Sequence, residues 1–409
     1  MNLAVHAAEH HNSLMHRKLL LGATTVVVVA CARLATLGGN PLQLPSLSFS
    51  TDSLRTRQIA PGAAYHFVYS KSGPWAIHVL DLDRTECWTP IVVKGANGAA
   101  GRTKTSEILR KFSSEQISSH PVIGGVNGDF FALGTGVPVT AHIGYSRLVA
   151  GPAPRPVFAL DSSRALRIAT LKVDGWATIH GTQYPVDSWN RLSTRALALF
   201  DDGYGVMTDT GAGNVEVKLA GTTPYTVELV DTARGGLSIA AKGHVLVAGA
   251  QAPAELRQQL LGLTRGDTLR ISLVLAPFFP LEAVGGFPVL VRDSAEAEEL
   301  DRSGQESFRA RNPRTAIGIA QGGRRFFLVA VDGRQQPYSD GMTLHELAKL
   351  MLDLGSTQAL NLDGGGSTTL VYADPDSSGK LQIANHPSDR DGERPVGNAI
   401  AIMKECVGQ

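Results

Sequence analysis

The spacing of apolar residues changes along this chain, and the changes mark its elements. Between Phe158 and Leu275 short apolar runs alternate with turn residues, as in Leu197–Phe200, Val215–Leu219 and Leu269–Val274. In Val215–Leu219 the apolar residues fall at every second position, with Glu216 and Lys218 between them. Side chains two apart on a strand share a face, so this region is expected to form antiparallel sheet. A helix over 253–261 interrupts it, since Pro253 suits a first helical turn. Upstream, Ala64–Val93 contains strand-like runs such as Trp75–Leu80. Residues 106–112 place Ile108, Leu109 and Phe112 on one face of a short helix. Val122–Val126 reads as a buried strand leading into Asn127-Gly-Asp-Phe-Phe131.

The last third has a different rhythm. Phe326–Val331 is a continuous apolar strand that ends at Asp332-Gly333. Leu344, Leu347, Ala348, Met351 and Leu352 then form a stripe at helical spacing over 343–354. Thr343 and Glu346 have the spacing of a capping box, and Gly355 can end the helix. A strand over 358–362 follows. Strand, helix and strand of this length form a crossover whose two strands run parallel. Asp332 and Asp363 would then lie at one sheet edge, where ligands of parallel sheets bind. The expected fold is α/β (mixed α+β): mixed sheets covered by helices, a C-terminal crossover and a β-rich middle.

Composition limits the function classes. Of 409 residues, 44 are glycine and 21 proline, which favours short strands and tight turns over a helical bundle. The formal charge of +1 offers no footprint for nucleic acid. The N-terminus stands apart. A basic His16-Arg17-Lys18 precedes an apolar run, Leu19–Ala30, which is shorter than the roughly 20 residues of a spanning helix and suits an export signal. Val28-Val29-Ala30-Cys31 resembles a bacterial lipobox, which implies cleavage before Cys31 and lipidation of its sulfur; an ordinary signal cut elsewhere is the alternative. The expected organisation is a leader over 1–31, a tether over 32–60 and one domain over 61–409, on an exported protein of the bacterial periplasm or envelope. Cys87 and Cys406 remain in that domain, either paired or as two separate thiols.

The strongest chemical signal is Ala359-Leu-Asn-Leu-Asp-Gly-Gly-Gly-Ser367. Strand alternation puts Asn361 and Asp363 on one face. An Asp-Gly turn explains one glycine but not three, so Gly364, Gly365 and Gly366 are read as a close approach to ligand, with Ser367 beside them. Their amides could cradle a phosphate. Asp332 repeats the Asp-Gly form, and Arg334 is its candidate ion-pair partner. Asn127 and Asp129 also share a face and are assigned to the ligand wall, with Phe130 and Phe131 as core anchors. Arg314 can hold two phosphate oxygens with its planar fork. Thr315 points to the other face of that strand. Glu346 is assigned to the helix cap, His386 to a solvated loop, and Arg394 to a late loop within reach of the same edge.

Five motifs occur in order: Asn127-Gly-Asp-Phe-Phe131, Gly285-Gly-Phe-Pro288, Asn312-Pro-Arg-Thr-Ala-Ile-Gly318, Val331-Asp-Gly-Arg334 and Asn361-Leu-Asp-Gly-Gly-Gly-Ser367. Together they resemble the phosphodiester glycosidase family over about Ala64–Met403. The resemblance implies a mixed α/β catalytic domain that hydrolyses an anomeric phosphodiester. With the residue readings above, Asp332, Asp363 and Asp129 are expected in catalysis. Asn127, Arg314, Thr315, Asn361, Gly285, Gly286, Gly364–Gly366 and Ser367 are expected to hold a carbohydrate or sugar-phosphate substrate, with envelope glycans and exopolysaccharide as candidates. No cofactor is expected. Two alternatives stay open: a phosphodiesterase cutting P–O with a divalent cation held by Asp and Asn, and a glycan-binding or assembly protein without turnover.

Overall fold

Apolar alternation builds a sandwich of antiparallel sheets in the computed structural model, which describes residues 41–406 apart from 117–120, 209, 233–234 and 303–305. One sheet has eight strands, in the order Ser53–Ala60, Ala63–Ser70, Trp75–Asp83, Arg325–Val331, Arg314–Ala320, Ser356–Asn361, Val289–Arg292 and Ala295–Glu296. Every neighbouring pair is antiparallel. Its two faces follow the period of two directly. Phe326, Leu328 and Ala330 join Leu80, Leu82 and Ile317 in the central core, while Phe327, Val329 and Val331 enter a second cluster on the reverse side. Helix Leu344–Asp353 covers that reverse side with Leu344, Leu347, Ala348 and Met351. Its capping box forms as the spacing requires: the Thr343 hydroxyl accepts from the Glu346 N–H, and the Glu346 carboxylate accepts from the Thr343 N–H.

The central core is closed by two five-stranded sheets. One runs Lys380–Ile383, Leu370–Asp374, Val122–Asn127, Ala399–Lys404, Trp88–Val93 and supplies Val126, Leu370, Ile400 and Ile402. Helix Thr105–Glu115 packs on its outer side through Ile108 and Leu109. The other runs Leu166–Thr170, Pro156–Leu160, Glu282–Gly285, His142–Gly144, Arg147–Ala150 and supplies Phe158, Leu160 and Val284.

The expected α/β arrangement of helix-covered mixed sheets is overturned: the protein is mostly β and contains a closed seven-stranded barrel. The barrel takes Lys172–Ile179, Thr182–Trp189, Leu197–Asp201, His244–Ala248, Val215–Ala220, Tyr225–Asp231 and Thr268–Ala276. Ala177, Ile179, Val186, Leu199, Val217, Leu246 and Ile271 fill it, with Leu256 and Leu260 of helix Ala254–Leu261 against them. Alternation specifies strands but not closure, which depends on long-range pairing such as that of Lys172–Ile179 with Thr268–Ala276. The crossover is also altered. Arg325–Val331 and Ser356–Asn361 run in the same direction, but Arg314–Ala320 lies between them and pairs antiparallel with both.

The leader and Cys31 lie outside the described residues. Part of the stretch read as a tether is built into the domain, since Ser53–Ala60 is an edge strand and Leu44, Leu47 and Phe49 pack on the reverse-side cluster. Cys87 and Cys406 form a disulfide with Cα atoms 5.0 Å apart across 319 residues. A cross-link closing so long a loop removes much conformational freedom from the unfolded chain. Cys87→Ala is therefore expected to lower unfolding free energy by about 2–5 kcal/mol, measured by urea denaturation without reductant; an unchanged midpoint would show that the bond contributes nothing.

Candidate active site

The antiparallel register explains why distant residues meet. Arg314 begins its strand opposite Val331, and Ala316 lies opposite Asn361. The start of one strand thus sits between the ends of two others. Val122–Asn127 ends on the facing sheet at the same level, because the Asp363 N–H donates to Gly128 O at 3.0 Å. Asn127 secures the junction. Its Nδ2 donates to Asp363 O at 2.6 Å, and its Oδ1 accepts from the Thr315 hydroxyl at 2.9 Å and the Thr369 N–H at 3.1 Å. Asn127 and Thr315 are both fully buried. The structure therefore places them as joints between the two sheets, behind the cavity wall.

A cavity of about 220 Å³ opens at this junction, lined by Phe130, Asn312, Arg314, Arg334, Asn361, Asp363, Gly364, Gly365 and Arg394. Asn361 and Asp363 share it. Asn361 Nδ2 donates to Phe287 O at 2.7 Å, while its Oδ1 is buried without a partner. Burial pushes the Asp363 carboxyl up to about 6, against the pull of the nearby Ser367 hydroxyl, the Arg394 charge and the Gly364 N–H.

Asp129 lies just behind. Its Oδ2 accepts from the Thr140 N–H at 2.6 Å, and its Oδ1 is buried without a partner. Burial raises this carboxyl to about 7, the Thr140 N–H opposes the rise, and the charge of Asp363 adds to it. Gly285 makes room for the group, since a Cβ there would collide with Asp129 and Thr140. Gly286 packs against Asn361 O and Leu360. The Asp129 N–H donates to Asn398 Oδ1 at 2.8 Å.

Three arginines border the cavity. Arg314 Nε donates to Met342 O and Nη2 to Ala310 O, both at 2.8 Å. Burial, then the like charge of Arg334, lowers its pKa to about 10. Arg394 grips Asp389 with two bonds of 2.8 and 3.0 Å. Arg334 holds Asn312 Oδ1 at 3.1 and 2.8 Å and, among the described residues, has no carboxylate partner. Of the three glycines, Gly364 and Gly365 line the cavity, but the Gly365 amide is already engaged. The Gly365 N–H donates to Pro313 O, and a Cβ on Gly366 would collide with the Asp389 carboxylate. The glycines let the strand-ending loop pass under Asp389 and bring Asp363 to the wall. Ser367 is buried behind them.

Asp332 is at the same sheet end but is not part of the lining. It is fully buried and accepts from His78 Nε2 at 3.1 Å, Tyr338 OH at 3.3 Å, Asn385 Nδ2 at 3.1 Å and the His386 N–H at 2.9 Å. With Nε2 donating, His78 Nδ1 can accept from the Tyr65 hydroxyl at 2.8 Å. This network ties the loop at Asn385 and His386 to the end of strand Arg325–Val331. The carboxylate interacting electrically with Asp363 is Asp129. His78, Tyr338 and Asn385 carry no local sequence signal, whereas Asn312 opens the Asn312–Gly318 motif but is given no role of its own there. Arg334 closes the motif Val331-Asp-Gly-Arg334, Arg394 comes from the late loop expected within reach of this edge, and Phe130 turns to the cavity while Phe131 enters the core.

Residues 223–403 match the family model described as phosphodiester glycosidase. That segment is similar to the phosphodiester glycosidase domain. The segment contains the motifs of Gly285, Arg314, Asp332 and Asp363; Asn127 and Asp129 lie before it. No curated protein is significantly similar in sequence. Among solved structures, a hypothetical protein from Synechocystis aligns with TM-score 0.69 and 20% identity over 86% of this chain, which spans 64% of that protein's length. A protein from Burkholderia pseudomallei aligns with TM-score 0.66 and 21% identity, covering 89% of this chain and 98% of its own. These two share the fold. The catalytic domain of zebrafish N-acetylglucosamine-1-phosphodiester alpha-N-acetylglucosaminidase, auto-inhibited by pro-peptide, aligns at TM-score 0.44 and 16% identity over 89% of this chain and 87% of its own.

Proposed function

We propose that this phosphodiester glycosidase domain hydrolyses the bond between an anomeric carbon and a phosphate oxygen in a sugar-1-phosphodiester. The observation that carries the reading is the sharing of one small cavity by the Asp363 carboxylate and the guanidinium groups of Arg314, Arg334 and Arg394. Arginine pairs with phosphate oxygens through its fork, and an oxocarbenium-like state is served by carboxylates. Asp363, near 6, is largely ionised at neutral pH. It activates water or attacks the anomeric carbon itself. In the hydrolytic step the water oxygen bonds to that carbon, a water proton passes to the carboxylate, and the electron pair of the broken C–O bond leaves with phosphate. A phosphodiester is already a good leaving anion, so no strong general acid is needed on the opposite side. The arginines stabilise the departing charge. Asp129, near 7, sits behind Asp363 and limits the negative charge that the pocket accumulates.

Envelope or exopolysaccharide phosphates fit this chemistry, and the Cys87–Cys406 bond supports placement in an oxidising compartment outside the cytoplasm. The decisive experiment is turnover of a glycosyl-1-phosphodiester in ¹⁸O-water. Label in the sugar is expected. Label in the phosphate would transfer the chemistry to phosphorus, and tight binding without product would make the domain a glycan-binding module. Arg334→Gln is expected to raise KM about 10- to 100-fold, the worth of a lost charge-assisted hydrogen bond, with an unchanged melting temperature. Unaltered KM would remove Arg334 from phosphate recognition.

A further inference from the structure

We propose that the arginine-lined pocket at the opposite end of the eight-stranded sheet is a second binding site, specific for a phosphate group. Arg324 immediately precedes strand Arg325–Val331, and Asp332 immediately follows it. At about 3.3 Å per residue the eight steps between them span roughly 26 Å of strand. This second cavity has a volume of about 500 Å³, and its wall includes Arg84, Arg164, Arg324, Trp88, Cys87 and Glu405. Nothing in the hydrolytic reading uses it, and the inference stands without that reading.

Of the three arginines here, Arg164 and Arg324 each have a carboxylate partner and Arg84, among the described residues, has none. Arg84 Nη1 donates to Gly323 O at 3.1 Å and Nη2 to Arg164 O at 2.6 Å, and its Nε is buried without a partner. Among the described residues Arg84 has no carboxylate within ion-pair distance. Burial lowers its pKa first and the like charge of Arg164 adds to this, while the charge of Asp161 opposes it. Arg164 pairs with Glu405 at 3.2 Å and donates to the Thr89 hydroxyl at 3.0 Å. Arg324 is 3.8 Å from Asp83, with its side chain mostly exposed.

The backbone is also arranged to bring Arg164 here. Arg164 has a φ of 62°, left-handed for a residue with a Cβ. Asp161 holds the turn by accepting from the Ser163 N–H, the Ser163 hydroxyl and the Ala165 N–H. Strained backbone that aims a cation into a pocket points to function. Three guanidinium groups around one space offer more donors than a planar carboxylate can use and match a tetrahedral oxyanion.

The test is calorimetric titration of the full chain with inorganic phosphate, and separately with glucuronate. The wild type is expected to bind phosphate, with affinity weakened about tenfold or more in Arg84→Gln and Arg324→Gln and unchanged at this site in Arg334→Gln. Arg324 is largely exposed, so Arg324→Gln should keep its melting temperature and its turnover of a small glycosyl phosphodiester, which separates binding from folding. Phosphate affinity untouched by both substitutions, or lost only in Arg334→Gln, would overturn the site. Glucuronate bound more tightly than phosphate would overturn its specificity.

Discussion

Asp363→Asn is expected to lower kcat for a glycosyl-1-phosphodiester by about 10²- to 10⁴-fold, the range for loss of a positioned base. Among the cavity-lining residues Asp363 is the sole carboxylate, so no neighbour can take over its proton or its attack. Asparagine keeps the volume and can still accept from the nearby donors, so the change should leave KM within a few-fold and the melting temperature intact. Wild-type turnover in this variant would remove Asp363 from the mechanism. The same carboxyl sets the acid limb of the pH profile. Its value near 6 implies that kcat/KM falls below about pH 6, one pH unit or more above a limb set by an ordinary aspartate. A profile flat down to pH 4.5 would contradict that assignment.

The second large effect is on stability. Burial raises the Asp129 carboxyl from an ordinary 3.8 to about 7, a penalty on its ionised form. A raised carboxyl makes its full contribution below the unfolded value, where both states are protonated. Stability then declines as pH rises, and the loss is complete once pH passes the folded value. About three pKa units correspond to about 4 kcal/mol, to order of magnitude, lost between roughly pH 4 and 7. Asp129→Asn does not ionise, so its stability relative to wild type should rise through that window and level off above it. Its amide will not find every partner, which offsets part of the gain by about 1–3 kcal/mol at all pH values. Urea denaturation of both proteins at pH 4.5, 6 and 8 reads the difference. A gap independent of pH would show that Asp129 is not held near neutrality.

Much of this site was legible because strand alternation is local. Asn361 and Asp363 were placed on one face two residues apart, and both line the cavity. The Thr343 cap and the helix beyond it were equally local, since the N-cap and N3 side chains satisfy amides within one turn. Asp332 shows where such reasoning ends. Its position at a strand end indicated the correct sheet edge. Whether its carboxylate faces ligand or interior depends on His78, Tyr338 and Asn385, which come from three separate parts of the chain. The triple glycine was read as a close approach to ligand because a turn needs only one; that Pro313 takes the Gly365 amide and Asp389 packs on Gly366 depends on segments outside the motif.

By itself the chain dictated strand periods, the capped helix, the acidic strand ends and the motifs that carry the family resemblance, because each is encoded within a few neighbouring residues. Tertiary structure alone decided that the middle strands close into a barrel, that Arg314–Ala320 inserts between the crossover strands, and that Asp129 rather than Asp332 stands beside Asp363. Those outcomes depend on pairing between segments far apart in sequence, and on which carboxyl group is left without enough donors when the sheets come together.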